Sequence, residues 1–243
     1  VNASIDAHIL LNLPDDGKSI LGYDVADSGA DKNATTHRKG IVTYWTDEWN
    51  GKEDELLKSC TRVHHKAREL GATVIYDSIG VGAGCGAKFN ELNQTNKCSV
   101  KHAKFNAGAA VVKPEALYER AAGIKNKDFF TNLKSQSWWC VADRFRLTYQ
   151  VVNAIKNGET PPPYQLDELI SISSKTPNLE KLKMELSIPM RDFDNNGRVK
   201  VESKKDLAKR DIKSPNIADS FIMAYAPINS GLNIRPDALK GLF

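Results

Sequence analysis

No apolar run in these 243 residues approaches the roughly 18–20 that a helix needs to cross a bilayer. The opening stretch, "VNASIDAHILLNLPDDGKS", has no basic start, no long apolar middle and no clear cleavage site, so it does not read as a secretory signal. The chain also begins without Met, which points to a fragment or a processed product. Cysteine is sparse. Cys60, Cys85, Cys98 and Cys140 are scattered without a CxxC pair, which argues against a zinc site and for free thiols in a reducing cytosol. There is no internal repeat, and the one biased segment is the short break "TPPPY". Neither sign of charge dominates: the net charge of +4 is weakly basic and excludes little by itself. What is present, 41% hydrophobic and 26% charged residues, suits a soluble globular protein long enough to bury a core.

Three familiar site motifs are imitated but incomplete. "NLPDDGKS" (12–19) ends like a phosphate-binding loop. Yet Asn12 stands where the first glycine belongs, and a strand rather than a helix follows Ser19. "GAGCGA" (82–87) has the glycine spacing of a dinucleotide turn, but the acid expected about 20 residues on is replaced by the basic, aromatic "KHAKF". These glycines read better as a tight strand-to-helix turn beside a crowded site. "DFDNNGRVKVES" (192–203) imitates a calcium loop through Asp192, Asp194, Asn196, Gly197 and Val199. Its twelfth position is Ser203, with Glu202 one place early, so a hairpin turn fits better.

Periodicity gives an alternating order of elements. "SILGYD" reads as a buried strand, "ADSGADKNATTHRKG" as a loop, and "IVTYWTDEW" as a second strand. Residues 52–70 carry Leu56, Leu57, Cys60, Val63, Ala67 and Leu70 at helical spacing and end at Gly71. "ATVIYD" is a short strand before the glycine turn and a helix, and "CSVKHAKF" is another. Residues 128–157 predict one long helix or two, with a stripe of Trp138, Val141, Phe145, Tyr149, Val152 and Ile155. "LSIPMRDFDNNGRVKVES" predicts a hairpin turning at Asp194–Gly197. "SPNIADSFIMAYA" predicts a helix with Ser214 as N-cap and Pro215 in its first position. Strands alternating with helices indicate an α/β fold, and the late hairpin makes the sheet mixed.

Three acids sit badly in that pattern. Asp24 lies inside an apolar strand, Asp77 ends "ATVIYD", and Asp219 lies in a helix apolar nearly all round. An isolated ionised carboxylate in such places is heavily penalised unless paired or bound to a cation. Each acid alone has an ordinary reading: a turn former, a partner for a surface Arg, a bond to a helix end. No equally embedded Lys or Arg stands out, so their joint occurrence points to convergence on a divalent cation. Hard oxygen ligands suit Mg²⁺ or Mn²⁺, and two such ions about 3.5–4 Å apart support phosphodiester hydrolysis.

"LGYDVADSGADKN", "ATVIYDSIGVGAG" and "GRVKVESKKDLAKRDIKSPNIADSFIMAYA" resemble the motifs of the C-terminal nuclease domain of phage large terminase subunits, above all those of short-tailed headful-packaging phages. The resemblance runs from about Ser19 to about Pro227. It implies an RNase H/RuvC-like mixed β-sheet flanked by helices, and a single nuclease domain over 1–243 with a core over about 19–227 and N- and C-terminal tails that are linker or flexible. It implies Asp24, Asp77 and Asp219 as ligands of two Mg²⁺ or Mn²⁺ ions, although the family sometimes has Glu at the second position. Asp27 and Asp31 are either supporting groups or loop formers. Lys204, Lys205, Lys209, Arg210 and Lys213 are expected to contact the DNA backbone or to position the hairpin; such backbone contacts carry little sequence information. His64 and His65 read as surface residues. The implied activity is metal-dependent cutting of double-stranded concatemeric viral DNA during packaging. The implied partners are the small terminase subunit, the portal protein and an N-terminal ATPase domain of the same polypeptide. The implied place is the host cytoplasm, outside the mature virion. Two other readings stay open: another RNase H-like enzyme, such as a junction resolvase or transposase core, and a non-catalytic DNA-binding module.

Overall fold

The computed structural model describes residues 1–26, 31–51, 55–118, 120–121 and 123–228. The strands are β1 (Ser19–Asp24), β2 (Lys32–Lys39), β3 (Val42–Asn50), β4 (Thr73–Asp77), β5 (His102–Phe105), β6 (Ser171–Ile172), β7 (Arg191–Phe193) and β8 (Val199–Val201). The helices are α1 (Ala7–Leu10), α2 (Leu56–Leu70), α3 (Cys85–Thr95), α4 (Asn126–Phe129), α5 (Leu133–Lys156), α6 (Leu179–Ser187), α7 (Lys204–Lys209) and α8 (Asn216–Tyr225). Six strands form one sheet in the order β5-β4-β1-β2-β3-β6, and β7 and β8 form the expected hairpin. The sheet is mixed: β1 runs antiparallel to β2 and parallel to β4.

Side-chain alternation splits the core into two layers. Leu21, Tyr23, Val74 and Tyr76 pack with Cys60, Val63, Cys85 and Phe89 of α2 and α3. Ile20 and Ile75 face the other way, with Phe145 of α5, Leu182 of α6 and the apolar side of α8. Gly22 belongs to that second face. A Cβ there would run into the backbone of Ser220 and Ala224, so only glycine lets α8 lie directly on β1.

Three expectations need correction. The segment read as a loop after the first strand contains β2, a central strand. Apart from Ala34, its buried residues are polar (Asn33, Thr35, Thr36, His37), so no apolar alternation marked it. In the long helix, Tyr149 and Ile155 are exposed, because α5 turns that part of its stripe to solvent. His64 is fully buried and its Nε2 lies 3.0 Å from Asn93 Oδ1, so it is a core residue rather than a surface one.

Candidate active site

Asp24 and Asp77 end neighbouring parallel strands. The register pairs Tyr23 with Tyr76, so the next residue of each strand brings the two acids side by side. Asp24 is thus at the strand's end, not in its middle. By alternation both share a face with Gly22 and Ile75, the face covered by α8. The first turn of that helix carries Asp219. The contact between Thr36 Oγ1 and Ser220 Oγ, 2.7 Å, fixes the helix against the sheet one residue further on. Asp24 is 4% exposed and Asp219 8%, while Asp77 is half-buried.

The electrostatics follow from this crowding. Burial raises the carboxyl of Asp24 well above the usual carboxylate range, and the charges of Asp219 and Asp77 push the same way; Lys204 and Lys134 oppose them. Burial also raises Asp77, against a hydrogen bond from the Ile79 N–H to its Oδ1 at 3.0 Å. Two ammonium groups reach into the cluster. Lys134 Nζ lies 3.4 Å from Asp219 Oδ1. Lys204 Nζ lies 3.3 Å from Asp31 Oδ2, and although burial lowers its pKa, the fields of Asp24, Asp219 and Asp31 leave it raised. Among the described residues, no three His, Cys, Asp or Glu side chains form a ready-made cage for a metal ion. The acids converge with lysines among them, so a bound cation would require the side chains to close in.

Both ends of α8 are held by charge. Glu185, buried on α6, accepts the Ala218 N–H at 3.0 Å and places a carboxylate at the helix N-terminus. Arg38 Nε donates to the Ala224 carbonyl at 2.5 Å at the other end, and burial lowers its pKa to about 10. Arg38 is therefore an embedded cation that the sequence reading overlooked, but it serves the far end of the helix from Asp219. Ser214 does not cap the helix; Pro215 holds that position and α8 begins at Asn216.

The five expected DNA contacts separate. Lys204 belongs to the acidic cluster. Arg210 donates to Glu202 at 2.6 Å, and Glu202 also accepts the Met190 N–H, which ties α7 to the hairpin. Lys209 pairs with Asp206 at 2.7 Å. Lys205 and Lys213 are exposed. Asp31 is the ion partner of Lys204, and Asp27 lies outside the described residues. Lys134 and Glu185 were missed, because each meets α8 from a helix remote in sequence and no local motif announces the pairing.

Three solved structures are similar over 92% of this chain. The nuclease domain of the large terminase subunit gp2 of bacterial virus Sf6 matches at 28% identity and a TM-score of 0.80, with 94% of that chain covered. A mutant of that domain with manganese and beta-thujaplicinol matches at 28% identity and 0.81, with 94% of that chain covered. A mutant with calcium matches at 28% identity and 0.80, with 95% of that chain covered. No protein-family model matches the chain, and no curated protein matches it closely.

Proposed function

These likenesses support a large-terminase nuclease domain, an endonuclease of RNase H-like fold, and from that premise we propose that the chain is a divalent-metal-dependent endonuclease cutting double-stranded DNA with little sequence preference. The observation that carries this reading is the convergence of Asp24 and Asp77 on one face of the sheet with Asp219 of the helix that covers it; burial and the neighbouring carboxylates oppose the charge of Asp24, and burial opposes that of Asp77. A carboxylate cluster with that donor chemistry fits Mg²⁺ or Mn²⁺. Manganese and calcium in similar nuclease domains agree with it.

Each residue then has a task. Asp24, perturbed by both other acids, would be the central ligand for divalent cations, with Asp77 and Asp219 completing the carboxylate set. The chemistry supplied by bound divalent cations is activation of water and stabilisation of the leaving 3′ oxygen. Lys204 and Lys134 offset the charge of the acids and, with a cation bound, would be free to meet the DNA phosphate. Glu185 and Arg38 hold α8, and so Asp219, in place. Lys205, Lys209 and Lys213 attract the backbone without reading sequence. The wider setting follows the family resemblance: concatemeric viral DNA in the host cytoplasm, with the small subunit, the portal and an ATPase domain as partners. No described helix is long and apolar enough to cross a membrane.

The test is plasmid cleavage in Mg²⁺, Mn²⁺ or EDTA, with linear duplex and a four-way junction compared as substrates. Metal-dependent cutting of linear duplex at many sequences supports the proposal. A marked preference for the junction moves the chain to the resolvases. A folded chain that binds DNA but cuts nothing in any metal makes it a binding module.

A further inference from the structure

The turn that follows Asp77 is built unlike its surroundings. Ile79 and Val81 are 48% and 43% exposed. Ile79 is fixed to the site, because its N–H donates to Asp77 Oδ1 at 3.0 Å. Four glycines follow at alternate positions, and three of them answer to the protein itself. Gly80 has a left-handed φ of 55°. A Cβ on Gly82 would run into the Asp77 carbonyl, and one on Gly86 into the Tyr76 hydroxyl.

Gly84 has no such reason. Its φ of −80° and ψ of −17° suit any residue. The nearest atom to a Cβ there is Leu56 Cδ2, at 4.0 Å. It is exposed and occupies the N-cap of α3, where Ser, Asn or Asp would do better. No acid occurs between Ser78 and Asn90, whereas the other side of Asp77 is crowded with Asp24 and Asp219.

We propose that the Ile79–Gly84 turn is the surface on which the sugar–phosphate backbone of the cleaved DNA strand lies beside Asp77. Ile79 and Val81 pack against deoxyribose, and Gly84 keeps the surface clear for close approach. The occupant is a DNA strand because the turn is continuous with the acid cluster, presents apolar side chains and carries no acid, as a polyanion with apolar sugar faces requires. Contacts of this kind fix position without reading bases. The inference rests on the nuclease reading.

The test is steady-state cleavage of a fluorescein-labelled random-sequence duplex in Mn²⁺, with thermal melting measured alongside. Wild type, Gly84→Ala, Gly84→Leu and the double variant Ile79→Ser/Val81→Ser are compared. A purely structural Gly84 gains stability on changing to Ala, because its backbone is already helical. The expected result is an unchanged or raised Tm for Gly84→Ala together with a raised KM. Gly84→Leu should lose about tenfold or more in kcat/KM, in line with the cost of displacing a substrate by about 1 Å. The double variant should raise KM with kcat little changed. If Gly84→Leu fails to fold, the Ala and Ser variants decide. Equal KM across all folded variants, with wild type cutting, overturns the inference and leaves the nuclease reading standing. A wild type that does not cut in any metal overturns the nuclease reading, and this inference falls with it.

Discussion

Two groups of buried polar side chains lie on the same sheet and are settled in opposite ways. Along β2, the neutral side chains of Asn33, Thr36 and His37 find hydrogen-bond partners on other elements. Asn33 Oδ1 accepts from the Tyr23 hydroxyl at 2.8 Å and the Ala26 N–H at 3.1 Å, and its Nδ2 donates to the Ala26 carbonyl at 2.6 Å. Thr36 meets Ser220 at 2.7 Å, and His37 Nε2 lies 2.8 Å from Ser19 Oγ. At the ends of β1 and β4, the groups facing one another carry the same charge. Asp24 is buried against Asp219 and Asp77, and the ammonium groups of Lys204 and Lys134 ease the repulsion. Buried polarity that is closed by hydrogen bonds specifies the fold. Buried polarity that the protein leaves electrostatically unfavourable is where an outside cation or substrate gains most.

That contrast breaks most sharply under substitution. Asp24→Asn, Asp77→Asn or Asp219→Asn is expected to reduce DNA cleavage on the order of 10²–10³-fold or more, the size seen when one electrostatic stabiliser is removed. Each should melt close to wild type. Asn33→Ala should do the reverse. It orphans three buried groups and is expected to cost about 3 kcal/mol or more of stability, read as a lowered urea midpoint.

Acid separates the two regions next. Burial lowers His37 to about 4, with help from Lys66 and Arg38. The unfolded chain therefore takes up a proton that the folded chain refuses. The stability lost as pH falls from the ordinary His value near 6.5 towards 4 is expected to reach about 2–3 kcal/mol. Asp24 has the opposite sign. Its raised pKa means the folded state holds a proton more tightly, so lowering the pH relieves the repulsion there. Urea midpoints at pH 7 and pH 5 should fall for wild type and stay flatter for His37→Gln. Smaller effects follow from the lysines. Lys204→Ala is expected to destabilise the metal-free protein by about 1 kcal/mol, and Mn²⁺ should restore more of its Tm than it adds to wild type. Removing Lys205 or Lys213 should lower the salt slope of DNA binding by about one each.

Much of the architecture was legible because periodicity reports burial. β1, β4, α2 and the late hairpin stand out in the sequence, and Asp24, Asp77 and Asp219 are conspicuous as charges in apolar runs. β2 was illegible for a physical reason: its inward residues are polar, and their partners (Tyr23, Ser19, Ser220) lie on other elements. The same limit hid the supports of the site. Glu185 and Lys134 look like ordinary helix-surface charges until tertiary packing brings α6 and α5 to α8. The basic run from Lys204 to Lys213 reads as one phosphate-binding face, but neighbouring acids take Arg210 and Lys209, and Lys204 turns to the site.

The central claim is that the three acids are held apart by charge and await a cation. Thermal melting of wild type and Asp24→Asn, in EDTA and in Mn²⁺, tests it most directly. The account predicts that Asp24→Asn melts at or above wild type in EDTA, and that Mn²⁺ raises wild type but not the variant. A destabilised Asp24→Asn beside a wild type indifferent to Mn²⁺ would contradict it, and would make Asp24 a structural partner of the lysines.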